Sequence, residues 1–267
     1  MQLDIYQIDA FTSLPFKGNP AGVCITQEPL ESSLMLSIAK ELAISETAFL
    51  TLDNMYLRWF TPLVEVELCG HATLATAHVL RELAFIHDEQ QVKFNTLSGM
   101  LSVHVQGQML NMNFPEPKLK RIHQYNQLLL NALGLQPSQI LVWLQFDGNK
   151  DLIVIDNMET IIEMTPNFDL LKQGPGRGVI VTANSNYLSA DFVSRYFAPW
   201  VGVNEDPVTG SAHCALASYW CQKLARTRLR GYQASSRGGF VDVERLARGR
   251  IRISGTAVTM FKGTLSF

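Results

Sequence analysis

Asp206-Pro-Val-Thr-Gly-Ser-Ala212 sets a carboxylate and a hydroxyl on either side of a glycine turn, directly before a helix-like run. The first amides of such a helix point outward at the positive end of its dipole, so the turn suits a small anion such as a substrate carboxylate. Cys69-Gly-His-Ala72 repeats the device. The candidate binding residues are therefore Gly70, His71 and Ala72 at one turn and Gly210, Ser211 and Ala212 at the other. Taken singly, Ser211 is equally an ordinary N-cap and Gly210 an ordinary turn residue; the duplication weighs against that. His71 could titrate near neutral pH beside a bound anion, or simply bond to backbone at a helix start. Glu46, in Ile44-Ser-Glu-Thr-Ala-Phe49, reads in two ways. It is a solvent-facing residue on an edge strand, or it is a carboxyl turned inward, whose burial raises its proton affinity until one group both removes and returns a carbon-bound proton.

The two turns sit inside a longer repeat. Phe60-Thr-Pro-Leu-Val-Glu-Val-Glu-Leu-Cys-Gly-His-Ala-Thr-Leu-Ala75 aligns with Phe197-Ala-Pro-Trp-Val-Gly-Val-Asn-Glu-Asp-Pro-Val-Thr-Gly-Ser-Ala-His-Cys-Ala-Leu-Ala217 when Pro62 meets Pro199 and Gly70 meets Gly210. Each copy gives an extended approach, a tight turn and a small-residue helix start. Two such units are what a pseudo-twofold enzyme with a cleft between equivalent halves requires. The 267 residues accommodate two domains of about 130 residues each.

Alternation predicts a strand over 3–10, and apolar residues at helical spacing predict a helix over 30–42. Further strands are expected over 44–50, 55–60, 91–95, 101–106, 108–114, 140–145, 151–155 and 179–182, with a helix over 123–133 ended by Gly134. Residues 167–172 stay ambiguous. Pro115-Glu-Pro117, followed by Lys118, Lys120 and Arg121, is the linker candidate, because proline stiffens an exposed crossing and charge resists burial. Short strands with few helices indicate an α+β fold rather than a doubly wound nucleotide fold.

Several functions are disfavoured. Lys and Arg total 22 against 24 Asp and Glu, a net charge of -2, so the electrostatic footprint of a nucleic-acid or anionic-membrane binder is missing. The start has no signal-peptide pattern and no segment has the apolar length of a membrane span, so a cytoplasmic protein is expected. Gly18-Asn-Pro-Ala-Gly22 lacks the Lys-Ser/Thr of a phosphate loop, and Gly174, Gly176 and Gly178 lack the context of a dinucleotide site. Both read as turns where backbone approaches a ligand or another strand. Thr209-Gly-Ser-Ala-His213 lacks the elbow of a serine hydrolase. The four cysteines form no CxxC pair, and no metal site is expected.

Taken together, Asp9-Ala-Phe-Thr12, Phe16-Lys-Gly-Asn-Pro-Ala-Gly-Val23, Ser45-Glu-Thr-Ala-Phe49, Arg58-Trp-Phe-Thr-Pro62, Cys69-Gly-His-Ala-Thr73, Gly178-Val-Ile-Val-Thr-Ala183 and Asn204-Glu-Asp-Pro-Val-Thr-Gly-Ser-Ala-His213 resemble the phenazine-biosynthesis PhzF family, whose wider relatives include diaminopimelate epimerase and proline racemase. The resemblance runs nearly end to end. It implies an α+β fold of two pseudo-twofold-related domains, each a curled mixed sheet around a central helix: 1–114, completed by a segment near 259–267, and 115–258. It further implies an active site between the domains, a homodimer and no cofactor. The catalytic residues carried over are Glu46, His71, Asp206 and Ser211, with Asn19 and Gly70 lining the pocket. The family's best-defined reaction isomerises trans-2,3-dihydro-3-hydroxyanthranilate. The epimerase relatives use a cysteine beside each glycine turn, whereas this chain has Cys69 before Gly70 but Thr209 before Gly210. The expectation is therefore a cofactor-independent isomerase of a small carboxylate-bearing metabolite, working through one glutamate. A racemase or epimerase variant and a non-catalytic metabolite-binding or protein-interaction module are the alternatives.

Overall fold

The computed structural model describes residues 2–185 and 189–267. Contacts divide the chain into two compact units, Met1–Asn113 with Ser254–Phe267, and Phe114–Ile253. In chain order the first elements are β1 (Gln2–Ala10), β2 (Asn19–Thr26), α1 (Ser32–Leu42), β3 (Glu46–Thr51), β4 (Tyr56–Phe60), β5 (Glu65–Val66), α2 (Gly70–Glu82), β6 (Gln91–Thr96), β7 (Gly99–Gln106) and β8 (Met109–Pro115). Next come β9 (Lys120–Arg121), α3 (Gln127–Leu133), β10 (Ile140–Phe146), β11 (Lys150–Ile155), α4 (Met158–Glu163), α5 (Phe168–Gln173), β12 (Gly178–Asn184), β13 (Phe192–Ala198) and β14 (Val203–Glu205). The chain ends with α6 (Gly210–Lys223), β15 (Arg228–Gln233), β16 (Gly239–Leu246), β17 (Arg250–Gly255) and β18 (Ala257–Ser266).

The same topology occurs in both units. In the first, β1 and β2 are antiparallel, β2 and β3 parallel, β3 and β4 antiparallel, and β4 pairs antiparallel with β5 and parallel with β6. In the second, β10 and β11 are antiparallel, β11 and β12 parallel, β12 and β13 antiparallel, and β13 pairs antiparallel with β14 and parallel with β15. Each parallel pair needs a crossover, and helices supply it. In the first unit α1 links β2 to β3 and α2 lies between β5 and β6; in the second α4 and α5 link β11 to β12 and α6 lies between β14 and β15. The protein is thus α+β with mixed sheets, and its two units are duplicates in topology.

The duplication extends just beyond the sequence repeat, to Arg58 and Arg195. Arg58 forks onto Glu65, with Nε and one terminal nitrogen each 2.7 Å from a carboxylate oxygen, and lies 5.1 Å over the Phe60 ring. Arg195 forks onto Glu205 at 2.7 and 2.9 Å and lies 5.0 Å over Phe197. In both units this clamp ties the strand before the glycine turn to the short strand that delivers the turn.

Helix α2 buries every residue from His71 to Leu80, and α6 buries Gly210, Ala212 to Ser218, Trp220 and Cys221. A helix without a solvent face must be enclosed, and the Ala, Thr, Ser and Gly of both helices let sheet backbone come close around them. Outside the sheets lie separate apolar layers. Met35, Ile38 and Ala39 of α1 pack on Leu3, Ile5, Phe49 and Phe60. Leu129, Leu130 and Leu133 of α3, Ile161 of α4 and Leu171 of α5 pack on Ile153, Val179, Val181 and Phe197.

Candidate functional site

Asn19 opens β2, and Glu46 opens the adjacent parallel strand β3, where it stands opposite Ala21. Gly18 sets up that start: its φ is +65, and a side chain there would place Cβ 2.1 Å from the Ala10 carbonyl oxygen, so only glycine fits. His71 is the second residue of α2. The first turn of α2 therefore stands against the starts of β2 and β3, and three residues far apart in sequence meet. His71 Nε2 is 3.3 Å from Glu46 Oε2, and His71 Nδ1 is 3.3 Å from Asn19 Nδ2. Ser45 adds its hydroxyl, 3.4 Å from Nε2, while donating to the Pro20 carbonyl at 3.0 Å. Cys69 Sγ lies 3.5 Å from Nδ1 and 3.9 Å from Nε2.

Both ring nitrogens of His71 thus meet polar side chains, Nδ1 facing the Asn19 amide and Nε2 facing Glu46 and Ser45. Asn19 is fully buried and the His71 side chain is 6% exposed, against 19% for Glu46. Burial raises the Glu46 pKa, and its hydrogen bond with Ser45 pulls the other way. Glu46 is not on an edge strand, because β3 pairs with β2 on one side and β4 on the other. His71 likewise bonds to side chains and not merely to backbone.

Cys69 is the N-cap of α2, and its side chain makes no cap bond to the helix. Thr209 occupies the same place before α6 and also makes none, since its hydroxyl donates to Asp206. In the second unit the turn is held from β15 by fully buried Gln233, which accepts from the Thr209 N–H at 2.9 Å and donates to the Asp206 carbonyl at 2.6 Å. Four residues into each helix a side chain returns to the N-cap carbonyl: Thr73 Oγ1 to Cys69 at 2.6 Å, and His213 Nδ1 to Thr209 at 2.8 Å. Asp206 and Gly210 sit at the turn and Ser211 is exposed in the first turn of α6, beside buried Ala212.

Glu46, His71 and Asn19 thus converge in the first unit, and Asp206, Gly210, Ser211 and Ala212 gather in the second. Sequence reasoning missed Ser45, Cys69, Thr209 and Gln233 as participants. Ser45 stands in a family motif with no role attached to it, Cys69 and Thr209 carry a signal only as the positions of the relatives' paired cysteines, and Gln233 gives no signal because its partners lie more than twenty positions away.

Two copies of a mixed sheet enclosing a glycine-led helix define the epimerase-like α+β class of isomerase folds. The family model described as phenazine biosynthesis-like protein, PhzC-PhzF, matches residues 8–263, and the chain belongs to that family. An uncharacterized isomerase of Halalkalibacterium halodurans is 45% identical, with 99% of each chain covered. The human phenazine biosynthesis-like domain-containing protein is 37% identical, with both chains covered in full. The crystal structure of an Enterococcus faecalis PhzF-family protein superposes with a TM-score of 0.92 at 40% identity over the whole of both chains. A hydroxyproline epimerase of Agrobacterium vitis shares the fold, with a TM-score of 0.62 at 12% identity over 99% of this chain and 92% of its own. The chain is an isomerase-type enzyme of this family, of a fold suited to a small-molecule substrate.

Proposed function

We propose that the protein is a cofactor-independent isomerase of a small carboxylate-bearing metabolite, with Glu46 taking a proton from an activated carbon and returning it to another on the same face. The observation that carries this is the Glu46–His71 contact at the start of α2, in a setting where burial raises the Glu46 pKa. A carboxylate of raised proton affinity is a stronger base, and once protonated it holds its proton long enough to deliver it, so a single group serves both half-reactions. His71, whose Nε2 faces Glu46, donates a hydrogen bond and steadies charge as it develops. The first-turn amides at Gly70, His71 and Ala72 are suited to a substrate carboxylate, as are those at Gly210, Ser211 and Ala212 in the second unit, and in neither turn does the N-cap side chain compete. Asp206 orients the substrate from a turn that Thr209 and Gln233 hold in place. Thr209 at the second turn supplies no thiol, which favours a one-carboxylate shuttle over a two-thiol racemase.

The test is incubation of the wild-type protein in deuterated water with unsaturated and amino carboxylates, including dihydrohydroxyanthranilate, followed by NMR and chiral analysis. Deuterium at a carbon that gains a proton as a double bond migrates supports the proposal. Label accompanied by inversion of one stereocentre would make the enzyme an epimerase instead. The family's homodimer belongs to the same proposal, and light scattering should give about twice the chain mass of 29.9 kDa.

A further inference from the structure

The sheets of the two units correspond residue by residue through the arginines of their clamps. Arg58 stands opposite Phe49, and Arg195 opposite Val181. Counting along the same strands, Glu46 corresponds to Gly178, Trp59 to Tyr196, and Ala21, opposite Glu46, to Lys150, opposite Gly178. Val179, Val181 and Phe197 face the outer apolar layer. By alternation Lys150, Gly178 and Tyr196 lie on the other face, with α6, where the charge of Lys150 acts on Cys214.

Gly178 makes room for Tyr196. A Cβ there would stand 2.2 Å from the Tyr196 hydroxyl oxygen, so the phenol ends where the counterpart of the Glu46 side chain would begin. Glu46 meets the second residue of α2, and by the same register the Tyr196 hydroxyl faces the first turn of α6. Tyr196 is 8% exposed, and its hydroxyl makes no hydrogen bond among the described residues. A hydroxyl so enclosed normally pairs, which points to a ligand atom as its acceptor. We propose that Tyr196 and Lys150, with the first-turn amides of α6, bind the carboxylate of the metabolite, which makes the second of the two glycine turns the anion subsite. The assignment rests on the reading that the metabolite carries a carboxylate.

The exchanges between the units favour an anion at the second turn. Where the first unit has Ala21, Ser45 and Glu46, the second has Lys150, Arg177 and the Tyr196 phenol, so a carboxylate gives way to a hydroxyl and two cations are added. Neither cation has an ion pair among the described residues. Burial pulls the Lys150 pKa down; Asp147 and Cys214 act upward and Arg177 downward, so a bound anion would supply the negative partner this ammonium lacks. Burial, and after it the charge of Asp206, raises the Tyr196 pKa while Arg177 acts the other way. The phenol therefore keeps its proton and donates it to the carboxylate in a charge-assisted hydrogen bond. Asp206 itself accepts from the Thr209 hydroxyl within the turn.

The test reads binding and not turnover. The seven tyrosines are replaced by 3-fluorotyrosine, and the fluorine resonance missing from Tyr196→Phe is assigned to Tyr196. Benzoate should shift that resonance saturably, whereas benzyl alcohol, with the same ring and no charge, should not. Affinity for benzoate, followed by calorimetry, should fall at least about tenfold in Tyr196→Phe and in Lys150→Met. It should be unchanged in Tyr125→Phe, whose ring stacks on Trp143 in the outer layer, with circular dichroism verifying that each variant folds. A Tyr196 resonance that benzoate leaves unmoved in the otherwise unaltered protein, or full affinity in Tyr196→Phe or Lys150→Met, would overturn the proposal. Because no proton transfer is measured, failure of the Glu46 shuttle in the isotope experiment would leave this result standing, and the reverse holds as well.

Discussion

His213 offers a direct physical test of the second unit. Its ring is completely buried beside Phe192, with centroids 6.0 Å apart, and Nδ1 bonds to the Thr209 carbonyl. Nε2 is buried and has no hydrogen-bond partner among the described residues. Protonation would thus create a cation with one N–H unsatisfied in an apolar setting, and burial accordingly pushes the pKa down to about 4 from 6.5, against a smaller opposite effect of the Thr209 carbonyl. The unfolded chain binds this proton first as pH falls, so the neutral ring stabilises the fold fully above about pH 6.5, and that contribution is lost progressively down to about pH 4. Between about pH 7 and about pH 5 the loss comes to about 2 kcal/mol. The perturbation is His213→Thr, which copies Thr73 at the equivalent place in the first unit, where the hydroxyl makes the same bond. The smaller side chain leaves a cavity and should cost about 1–3 kcal/mol near neutral pH. Urea denaturation of both proteins at the two pH values isolates the histidine, because all other titrating groups are shared. The deficit of the variant should shrink by about 2 kcal/mol at the lower pH; an unchanged deficit would refute the account of His213.

Other consequences follow from the same geometry. Arg195 serves Glu205 and also the carbonyls of Ile161 and Met164 at the end of α4, at 3.1 and 2.6 Å, whereas Arg58 serves Glu65 and the exposed contact with Ser32. Arg195→Ala should therefore cost about 3–5 kcal/mol and Arg58→Ala about 1–2 kcal/mol in denaturant melts; equal losses would contradict this ranking. Gly231 on β15 pairs with Phe192, and a Cβ there would stand 2.5 Å from the Phe192 ring and 3.1 Å from His213. Gly231→Ala should lower stability by about 2 kcal/mol or more, read as a drop in melting temperature; an unchanged melting temperature would show that the ring can move aside.

Much of the architecture was legible because the duplicated glycine turns announce themselves. The helices begin at Gly70 and Gly210, at the turns the sequence alignment matched. Regular alternation and helical spacing also located most strands and α1. The helix expected over 123–133 starts later, at Gln127, because Asn126 accepts from the Leu129 N–H and fixes the cap there; Gly134, with φ of 70, ends it as expected. Helix α4 left no trace in periodicity, since six residues make fewer than two turns, and its Asn157 cap is recognisable only once the helix is known. The contacts of His71 with Glu46 and Asn19 were out of reach for another reason. They depend on the parallel register of β2 and β3, which a crossover sets and no local pattern records.

Glu46 as the proton carrier is tested most directly by comparing wild type with Glu46→Gln in deuterated water, using whichever carboxylate the wild-type enzyme labels. Glutamine keeps the shape and a hydrogen-bonding partner for His71 but cannot accept the proton. Isotope incorporation should fall at least about 1000-fold, while substrate binding, followed by calorimetry, changes little. Incorporation at the wild-type rate in Glu46→Gln would contradict the mechanism.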